Sequence, residues 1–249
     1  MKRVKLVVAY DGTNYRGWQV QPNGVTIEGK LNAALTDLRG EEIRVDGASR
    51  TDSGVHSMGN VAIFDTDTRM PADKISFALN QRLPADIVVQ ESCEVESSWH
   101  PRHCESTKTY EYRILNRTFP LPTRRLDTYF YHYPLDAERM RAAAGLLEGT
   151  HDFKSFCSIH TGAKTTVRTI YTCDVSRQDD VITIRISGNG FLYNMVRIIA
   201  GTLIPIGAGQ MEPEEMIRIL EAQDRAAAGP TAPAQGLTMM GIRFEERTE

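Results

Sequence analysis

Residues 47–56 read Gly-Ala-Ser-Arg-Thr-Asp-Ser-Gly-Val-His and place one carboxylate, Asp52, in a tight turn beside a cation, Arg50. The stretches on either side, residues 43–46 and 60–64, alternate apolar and polar side chains, which predicts two strands joined by the turn. Glycines at both ends of the turn allow positive φ and the close approach of a ligand. The pattern indicates either a carboxylate presented to a substrate or an ordinary polar turn whose side chains cap the backbone.

Strand and helix patterns alternate through the first half of the chain in the order β-α-β-β-α-β. The predicted strands cover residues 4–10, 43–47, 60–65 and 87–94, and the predicted helices cover residues 26–38 and 72–81. This order is the split βαβ plan of a ferredoxin-like unit, in which helices pack on one face of an antiparallel sheet.

The second half follows a looser version of the same plan. Strands are predicted at residues 109–115, 166–177, 181–187 and 237–244, and helices at residues 136–147, 191–206 and 212–224. The expected fold class is α+β, with two ferredoxin-like (split βαβ) halves forming a mixed, mostly antiparallel sheet. We expect one domain of residues 1–105 and another of residues 106–249, with an active-site cleft between them.

The composition is that of an ordinary globular protein. The 249 residues are 41% hydrophobic and 24% charged, no apolar run reaches the ~18 residues of a membrane span, and the first residues lack a signal-peptide core. We therefore expect a cytoplasmic protein without a membrane partner. The four cysteines lie far apart, which predicts reduced thiols. His100, His103 and Cys104 are close in sequence, but no second cluster completes a site, so no metal is expected.

The net charge of −3 counts mildly against a nucleic-acid partner, since phosphate binding normally requires a basic surface. The charge is unevenly distributed, however. Residues 101–125 contain six Lys or Arg and two Glu, a local balance of 6 − 2 = +4. This segment predicts a basic face for RNA, although charges scattered over a solvated surface would give the same counts.

Four segments resemble one enzyme family. Residues 47–56 resemble the catalytic loop of the pseudouridine synthases and match the TruA family pattern Ala-Ser-Arg-Thr-Asp-x-Gly-Val-His-Ala up to Ser57, which replaces Ala. Residues 9–19 are similar to the family's opening motif Tyr-Asp-Gly-x-x-Phe-x-Gly-Trp-Gln, with Tyr in place of Phe. Residues 108–112 and 190–197 resemble two further family segments, so the resemblance spans nearly the whole chain.

The resemblance implies an isomerase that breaks the bond between uracil N1 and ribose C1′ and rejoins the base through C5. Such chemistry requires neither a cofactor nor a metal, because no redox change occurs and no group is added. Asp52 is the implied catalytic carboxylate, acting as a nucleophile or as a base. Arg197, within an apolar helix, is the implied cation that keeps this carboxylate ionised. The alternative for Arg197 is a packed stem with its head in water.

Tyr110 resembles the family's active-site tyrosine. Its ring would stack on the uracil, and its hydroxyl would take the proton from C5 once the new bond forms. Strand alternation puts Tyr112 on the same face, so a purely structural role for both tyrosines is the alternative.

The implied substrate is the anticodon stem-loop of tRNA, modified at positions 38, 39 or 40. Arg50 matches the family residue that inserts into the RNA stem when the target base leaves the stack, and Leu237 is similar to a residue of the base pocket. Residues 99–103 resemble a family segment, Phe-His-Ala-Arg-Phe, that contacts the tRNA backbone. The candidates for backbone contacts are Trp99, His100, Pro101, Arg102, His103, Lys154, Lys164 and Arg168. The family also implies a homodimer in which one tRNA touches both subunits.

Two other functions are compatible with parts of the sequence. A metal-dependent nuclease or phosphatase would use Asp65 and Asp67, which share a strand face by alternation and suit Mg²⁺. A non-catalytic RNA-binding protein would use ferredoxin-like halves without needing the Asp52 carboxylate.

Overall fold

Two units make up the chain in the computed structural model, which describes residues 1–158 and 162–245. The first unit comprises Met1–Ser106 together with the C-terminal segment from Met239, and the second comprises Thr107–Thr238. The described part of the chain contains ten β-strands and five α-helices, and most of its strand pairs are antiparallel. The predicted α+β class is confirmed.

The first unit has the predicted order β-α-β-β-α-β. Its elements are β1 (Lys2–Tyr10), α1 (Ile27–Arg39), β2 (Asp46–Gly47), β3 (His56–Thr66), α2 (Ala72–Asn80) and β4 (Ile87–Val95). In its sheet β4 lies beside β1, β1 beside β3, and the short β2 pairs with β3, all antiparallel. Because β3 lies between β1 and β2, this unit is a split βαβ arrangement.

Helix α1 illustrates why the sequence predicts this unit well. Its buried residues recur at helical spacing and face the sheet: Ile27, Leu31, Ala34 and Leu35. Thr26 caps the N-terminus by accepting a hydrogen bond from the N–H of Gly29, and Gly40 ends the helix in the left-handed conformation with φ 75°. Start and stop signals of this kind depend on single residue types, so they can be read directly from sequence.

The strand predicted at residues 43–47 is wrong for its first three residues. Ile43 and Val45 are buried as expected, but their backbone N–H groups donate to side chains of α1. Thr36 Oγ1 accepts from Ile43 at 3.2 Å, and Asn32 Oδ1 accepts from Val45 at 2.9 Å. Since α1 satisfies these donors, only Asp46–Gly47 pairs with β3.

The second unit contains the remaining elements. These are β5 (Ser106–Asn116), β6 (Tyr129–Tyr131), α3 (Ala137–Gly145), β7 (Gly149–Asp152), β8 (Val167–Gln178), β9 (Val181–Gly188), α4 (Met195–Gly207), α5 (Glu215–Ala222) and the start of β10 (Leu237–Phe244). Strands β5, β9, β8 and β7 are neighbours in that order and pair antiparallel, while β6 pairs parallel with β5. The long strands and α3 confirm the prediction, whereas β6 and β7 were not predicted.

Helix α4 begins four residues later than predicted, at Met195 rather than at residue 191. Asn194 adopts φ 62°, a left-handed conformation that a continuing helix does not allow, and residues 191–194 form an irregular turn. Eleven of the 13 residues of α4 are buried, which explains its nearly continuous apolar sequence. Within the described residues, no helix has the length and apolar character needed to cross a membrane.

Candidate active site

The loop of residues 48–55 joins β2 to β3 and carries Asp52. Ser49 and Thr51 are buried, Arg50 is exposed and Asp52 is half-buried. The loop thus turns its flanking side chains into the protein and leaves the cation and the carboxylate accessible. Gly54 has φ 80°, which confirms the positive φ expected at this end of the turn.

Residues 10–19 support the loop mainly through their backbone. The N–H of Trp18 donates to the Thr51 carbonyl at 3.1 Å, and the Tyr15 carbonyl accepts from the N–H of Gly54 at 3.2 Å. At Gly17, which has φ 85°, a Cβ would lie only 2.4 Å from the Thr51 carbonyl oxygen. The loop therefore passes so close to this segment that a side chain at position 17 does not fit.

The start of the loop is held from its other side. The N–H of Ala48 donates to the Val61 carbonyl at 2.7 Å, and Asn60 Nδ2 donates to the Ser49 carbonyl at 2.9 Å. Arg102 Nε donates to the Gly47 carbonyl at 2.8 Å. The sequence predicted Arg102 as an RNA contact. In this structure the same side chain also stabilises Gly47, the residue directly before the Asp52 loop.

His56 attaches the end of the loop to residues 11–12. Its Nδ1 is 3.1 Å from the Gly12 nitrogen and 3.1 Å from Asp11 Oδ1. Nδ1 cannot accept a hydrogen bond from Gly12 and donate one to Asp11 at once, so the tautomer of His56 decides which contact is a hydrogen bond. Burial raises the pKa of Asp11, but hydrogen bonds from Thr13 and the nearby His56 outweigh burial and lower it. Asp11 is therefore a carboxylate at neutral pH.

Tyr110 lies on β5 in the second unit and is 7% exposed. Its ring meets Phe191 edge to face, with 5.1 Å between ring centroids and an interplanar angle of 80°. Aromatic pairs favour this geometry, which holds the tyrosine ring in one orientation.

Tyr112 lies on the same strand face, and its role is structural. It is fully buried, and its hydroxyl donates to the Pro233 carbonyl at 2.8 Å. Burial raises the pKa of Tyr112, while the Arg197 guanidinium opposes the increase. Tyr112 and Arg197 bind the carbonyls of adjacent residues, Pro233 and Ala232, so the two side chains lie near each other in the second unit.

Arg197 is half-buried in the first turn of α4, and hydrogen bonds to Ala232 and Asn194 anchor its guanidinium. Its Nε donates to the Ala232 carbonyl at 2.8 Å, and its Nη1 donates to Asn194 Oδ1 at 2.9 Å. Asn194 in turn donates from Nδ2 to Ser158 Oγ at 2.9 Å. These contacts fix the direction of the guanidinium, which argues against the alternative of a head extended freely into water.

Leu237 is the first residue of β10 and is 5% exposed. It directly follows a single turn of 3₁₀-helix, Ala234–Gly236. The leucine side chain is thus part of a packed apolar region.

The predicted RNA-contact segment at residues 99–103 lies within the first unit and packs through its aromatic rings. Trp99 meets Phe244 edge to face at 5.1 Å, and the rings of His100 and His103 stack at 4.5 Å. Burial and the neighbouring His103 lower the pKa of His100, so it is neutral at pH 7. Because its Nδ1 accepts from the N–H of Arg102, its Nε2 carries the proton as a donor. Pro101 is buried.

The remaining candidates lie in the second unit. Lys154 and Lys164 are exposed, while Arg168 on β8 is half-buried and donates from Nη1 to the carbonyls of Thr165 and Val167. Burial lowers the pKa of Arg168, although an arginine remains charged.

Comparison with known proteins identifies the family of this chain. A family model described as tRNA pseudouridine synthase matches residues 6–103 and 143–245. The chain belongs to the tRNA pseudouridine synthase family. It is 48% identical to a tRNA pseudouridine synthase A of Thermoanaerobacter sp. over 244 residues, which is 98% of this chain and 100% of the relative. The protein of the same name from Acetivibrio thermocellus is 46% identical with the same coverage, and that of Halalkalibacterium halodurans is 48% identical over 95% of this chain and 90% of its own length.

The predicted resemblance is therefore confirmed, and so is the enzyme class, an isomerase. Among solved structures, the crystal structure of an archaeal box H/ACA sRNP Nop10-Cbf5 complex is similar at 12% identity, covering 96% of this chain and 47% of that one. Its TM-score is 0.34.

Asp65 and Asp67, the two carboxylates that the nuclease hypothesis requires, each form an ion pair with an arginine. Asp65 accepts two hydrogen bonds from Arg3, at 2.8 and 2.7 Å, and Asp67 pairs with Arg39. Ion-paired carboxylates on different arginines are poor ligands for a shared Mg²⁺. Within residues 1–158 and 162–245, no group of three or more His, Cys, Asp or Glu is arranged to hold a metal ion.

Sequence reasoning missed the residues that support the candidate site. Asn60 occupies a fully buried position in β3, and an amide in an otherwise apolar strand was a usable signal. Asn194 adopts positive φ, and asparagine directly before an apolar helix was a second signal. Tyr10 contacts the loop through its hydroxyl, and its sequence position gave no sign of this.

Proposed function

We propose that this synthase converts uridine to pseudouridine in the anticodon stem-loop of tRNA, at positions 38, 39 and 40. The observation that carries the proposal is the loop of residues 48–55. It combines the family motif with a half-buried carboxylate, Asp52, whose flanking residues are held by backbone hydrogen bonds. A carboxylate presented in this way meets the positional requirement of catalysis.

Asp52 is the catalytic carboxylate in this proposal. The N1–C1′ bond breaks, the base turns, the C5–C1′ bond forms, C5 loses its proton and N1 gains one, so the net reaction is an isomerisation. The reaction needs a group that stabilises C1′ or removes a proton from the sugar, and an ionised carboxylate serves either as the nucleophile or as the base. A covalent complex between enzyme and RNA that survives denaturation would identify the nucleophilic route.

We assign Arg197 and Tyr110 the roles that the resemblance implies. The guanidinium of Arg197, oriented by Asn194 and Ala232, favours the charged form of the catalytic carboxylate. Tyr110, with its ring fixed by Phe191, stacks on the uracil and accepts the C5 proton. Replacing Arg197 by Gln should move the acid limb of the pH–rate profile to higher pH, whereas replacement by Lys should move it less.

The proposed substrate contacts follow from the family resemblance, and exposure and charge support those of Arg50, Arg102 and Lys164. Extracting a base from a stack costs a few kcal/mol, and the exposed Arg50 fills the vacated space. Backbone phosphates contact the exposed cations, and Leu237 lines the base pocket. The proposed phosphate and backbone contacts are Trp99, His100, Pro101, Arg102, His103, Lys164 and Arg168.

We further propose a cytoplasmic homodimer. The net charge of −3 disfavours RNA, so two copies that each present the +4 segment of residues 101–125 would concentrate the positive charge on one substrate. Sedimentation equilibrium, with and without tRNA, tests the dimer. A monomer at all protein concentrations would contradict it.

The decisive experiment uses tRNA labelled with tritium at uridine C5, because each turnover releases the label to water. The wild-type protein should release tritium, and Asp52→Asn should release none while binding tRNA with an unchanged Kd. Asp67→Asn removes a carboxylate from an exposed ion pair and should retain activity. The RNA-binding hypothesis is correct instead if Asp52→Asn restores all function of a deletion strain.

Mapping of pseudouridine in tRNA from cells with and without the protein then tests the substrate. The map should differ at positions 38–40. An unchanged anticodon arm, with tritium release intact, would contradict the proposed substrate and leave the enzyme class standing.

A further inference from the structure

The Tyr10 hydroxyl lies in a buried polar network behind the Asp52 loop. Tyr10 is the last residue of β1 and is 5% exposed, and its hydroxyl is 2.7 Å from Oγ1 of Thr51, the residue before Asp52. Ser57 lies opposite Tyr10 in the pairing of β1 with β3, and the side chains of Asn60 and Ser57 both act to lower the pKa of this hydroxyl. Four side chains from two strands and the loop thus meet in the interior.

The network has a specific geometric origin. Pairing of β1 with β3 is irregular between Val8 and Tyr10, so Tyr10 comes opposite Ser57 at the start of β3. Irregularities of this kind redirect side chains and are frequent beside active sites. Asn60, fully buried, extends the network to the Ser49 carbonyl on the far side of the loop.

We propose that Tyr10 is a positioning residue for Asp52, whose carboxylate it directs by fixing the Thr51 side chain. The inference rests on the catalytic role proposed for Asp52. Thr51 is held at both ends, because its hydroxyl contacts Tyr10 and its carbonyl accepts the N–H of Trp18. These two contacts restrict rotation of the backbone at Thr51 and so set the direction in which the chain continues to Asp52.

Tyr10 takes no part in proton transfer in this proposal. It is buried beneath the loop, and burial raises the pKa of Tyr10 to about 12 even though the hydrogen bonds of its neighbours oppose the increase. The hydroxyl therefore stays protonated across the working pH range. A positioning role predicts a slower reaction with an unchanged shape of the pH–rate profile, whereas an acid–base role would remove one limb.

The test compares Tyr10→Phe, Thr51→Val and Thr51→Ser in single-turnover tritium release, with tRNA binding measured on the same preparations. Tyr10→Phe and Thr51→Val should slow the reaction roughly 10- to 100-fold without changing Kd. Thr51→Ser keeps the hydroxyl and should restore most of the rate. The double variant Tyr10→Phe/Thr51→Val should be no slower than the slower single variant, because both remove the same contact.

Ser92→Ala is the matched control. Ser92 is 4% exposed in the same unit, and its hydroxyl accepts from Ser76 N–H at 2.9 Å and donates to the Ala72 carbonyl at 2.6 Å. The variant loses buried hydrogen bonds away from the loop and should react at the wild-type rate.

Two results would overturn the positioning role. One is a folded Tyr10→Phe protein that reacts as fast as an active wild type. The other is a Thr51→Ser variant as slow as Thr51→Val, since the hydroxyl would then not be the positioning group. A wild-type protein that forms no pseudouridine would instead contradict the proposed function.

Discussion

Replacing Gly17 by Ala tests whether residues 10–19 set the position of the catalytic loop. Gly17 has φ 85°, which costs an alanine roughly 1–2 kcal/mol. The new Cβ would lie 2.4 Å from the Thr51 carbonyl oxygen, whereas ordinary contact begins at 3.4 Å, so one of the two segments must move by 3.4 − 2.4 = 1.0 Å. Overpacking of this kind costs about 1–3 kcal/mol more.

The same movement should appear in the rate. A misplacement of about 1 Å in a catalytic group lowers the rate roughly 100-fold. We therefore expect Gly17→Ala to lose roughly 2–5 kcal/mol of unfolding free energy and about two orders of magnitude in single-turnover rate. Tritium release from labelled tRNA measures the rate, and urea unfolding measures stability.

Gly40→Ala separates the two causes. Gly40 has φ 75° but no neighbouring atom within 4 Å of its Cβ position, so the variant incurs the backbone strain without the clash. It should lose only about 1–2 kcal/mol and keep the wild-type rate. If folded Gly17→Ala reacts as fast as Gly40→Ala, the loop position does not depend on this segment and the reasoning is wrong.

Three further changes have definite expected results. Asn194→Gly keeps the left-handed backbone but removes the oxygen that accepts from Arg197 Nη1. We expect kcat to fall roughly tenfold, with little change in the free energy of unfolding measured in urea. An unchanged kcat would show that the guanidinium does not depend on Asn194. The hydrogen bond from Arg3 lowers the pKa of Asp65, so the stability from this pair is present at neutral pH and is lost as pH falls through the lowered value. Asp65→Asn should reduce the dependence of the unfolding free energy on pH below about pH 4. The change should be no more than about 1 kcal/mol, because the ion pair is partly exposed. An unaltered pH dependence would contradict this. Excess EDTA should leave tritium release unaffected, and loss of activity would favour a metal-dependent reaction.

Sequence predicted those elements whose signals are local. Helix α1 has a periodic apolar face and caps at both ends, so its bounds differ from the prediction by one residue. The short strands β6 and β7 have three and four residues, too few for alternation to be visible. The start of α4 was misplaced because a helix buried on nearly all sides has no polar face to mark where it begins.

The Asp52 turn could be predicted from the motif, whereas its support could not. Backbone donors, such as the N–H groups of Trp18 and Gly54, leave no trace in residue type. Tyr10 and Thr51 are 41 positions apart, and only the pairing of β1 with β3 brings their hydroxyl groups together. Contacts of this kind depend on register, which residue patterns specify only loosely at an irregular pair.

Residues 10–19 therefore meet a different physical requirement from the Asp52 loop that they support. The loop needs a carboxylate on a short side chain, and aspartate is the residue type that supplies one. The supporting segment needs close approach, which Gly17 provides, and one buried hydroxyl, which Tyr10 provides. Since ferredoxin-like units serve many functions, the fold alone does not produce this site. The end of β1 and the turn after it supply both the close approach and the hydroxyl, through the contacts of Tyr10 with Thr51 and of Trp18 with the Thr51 carbonyl.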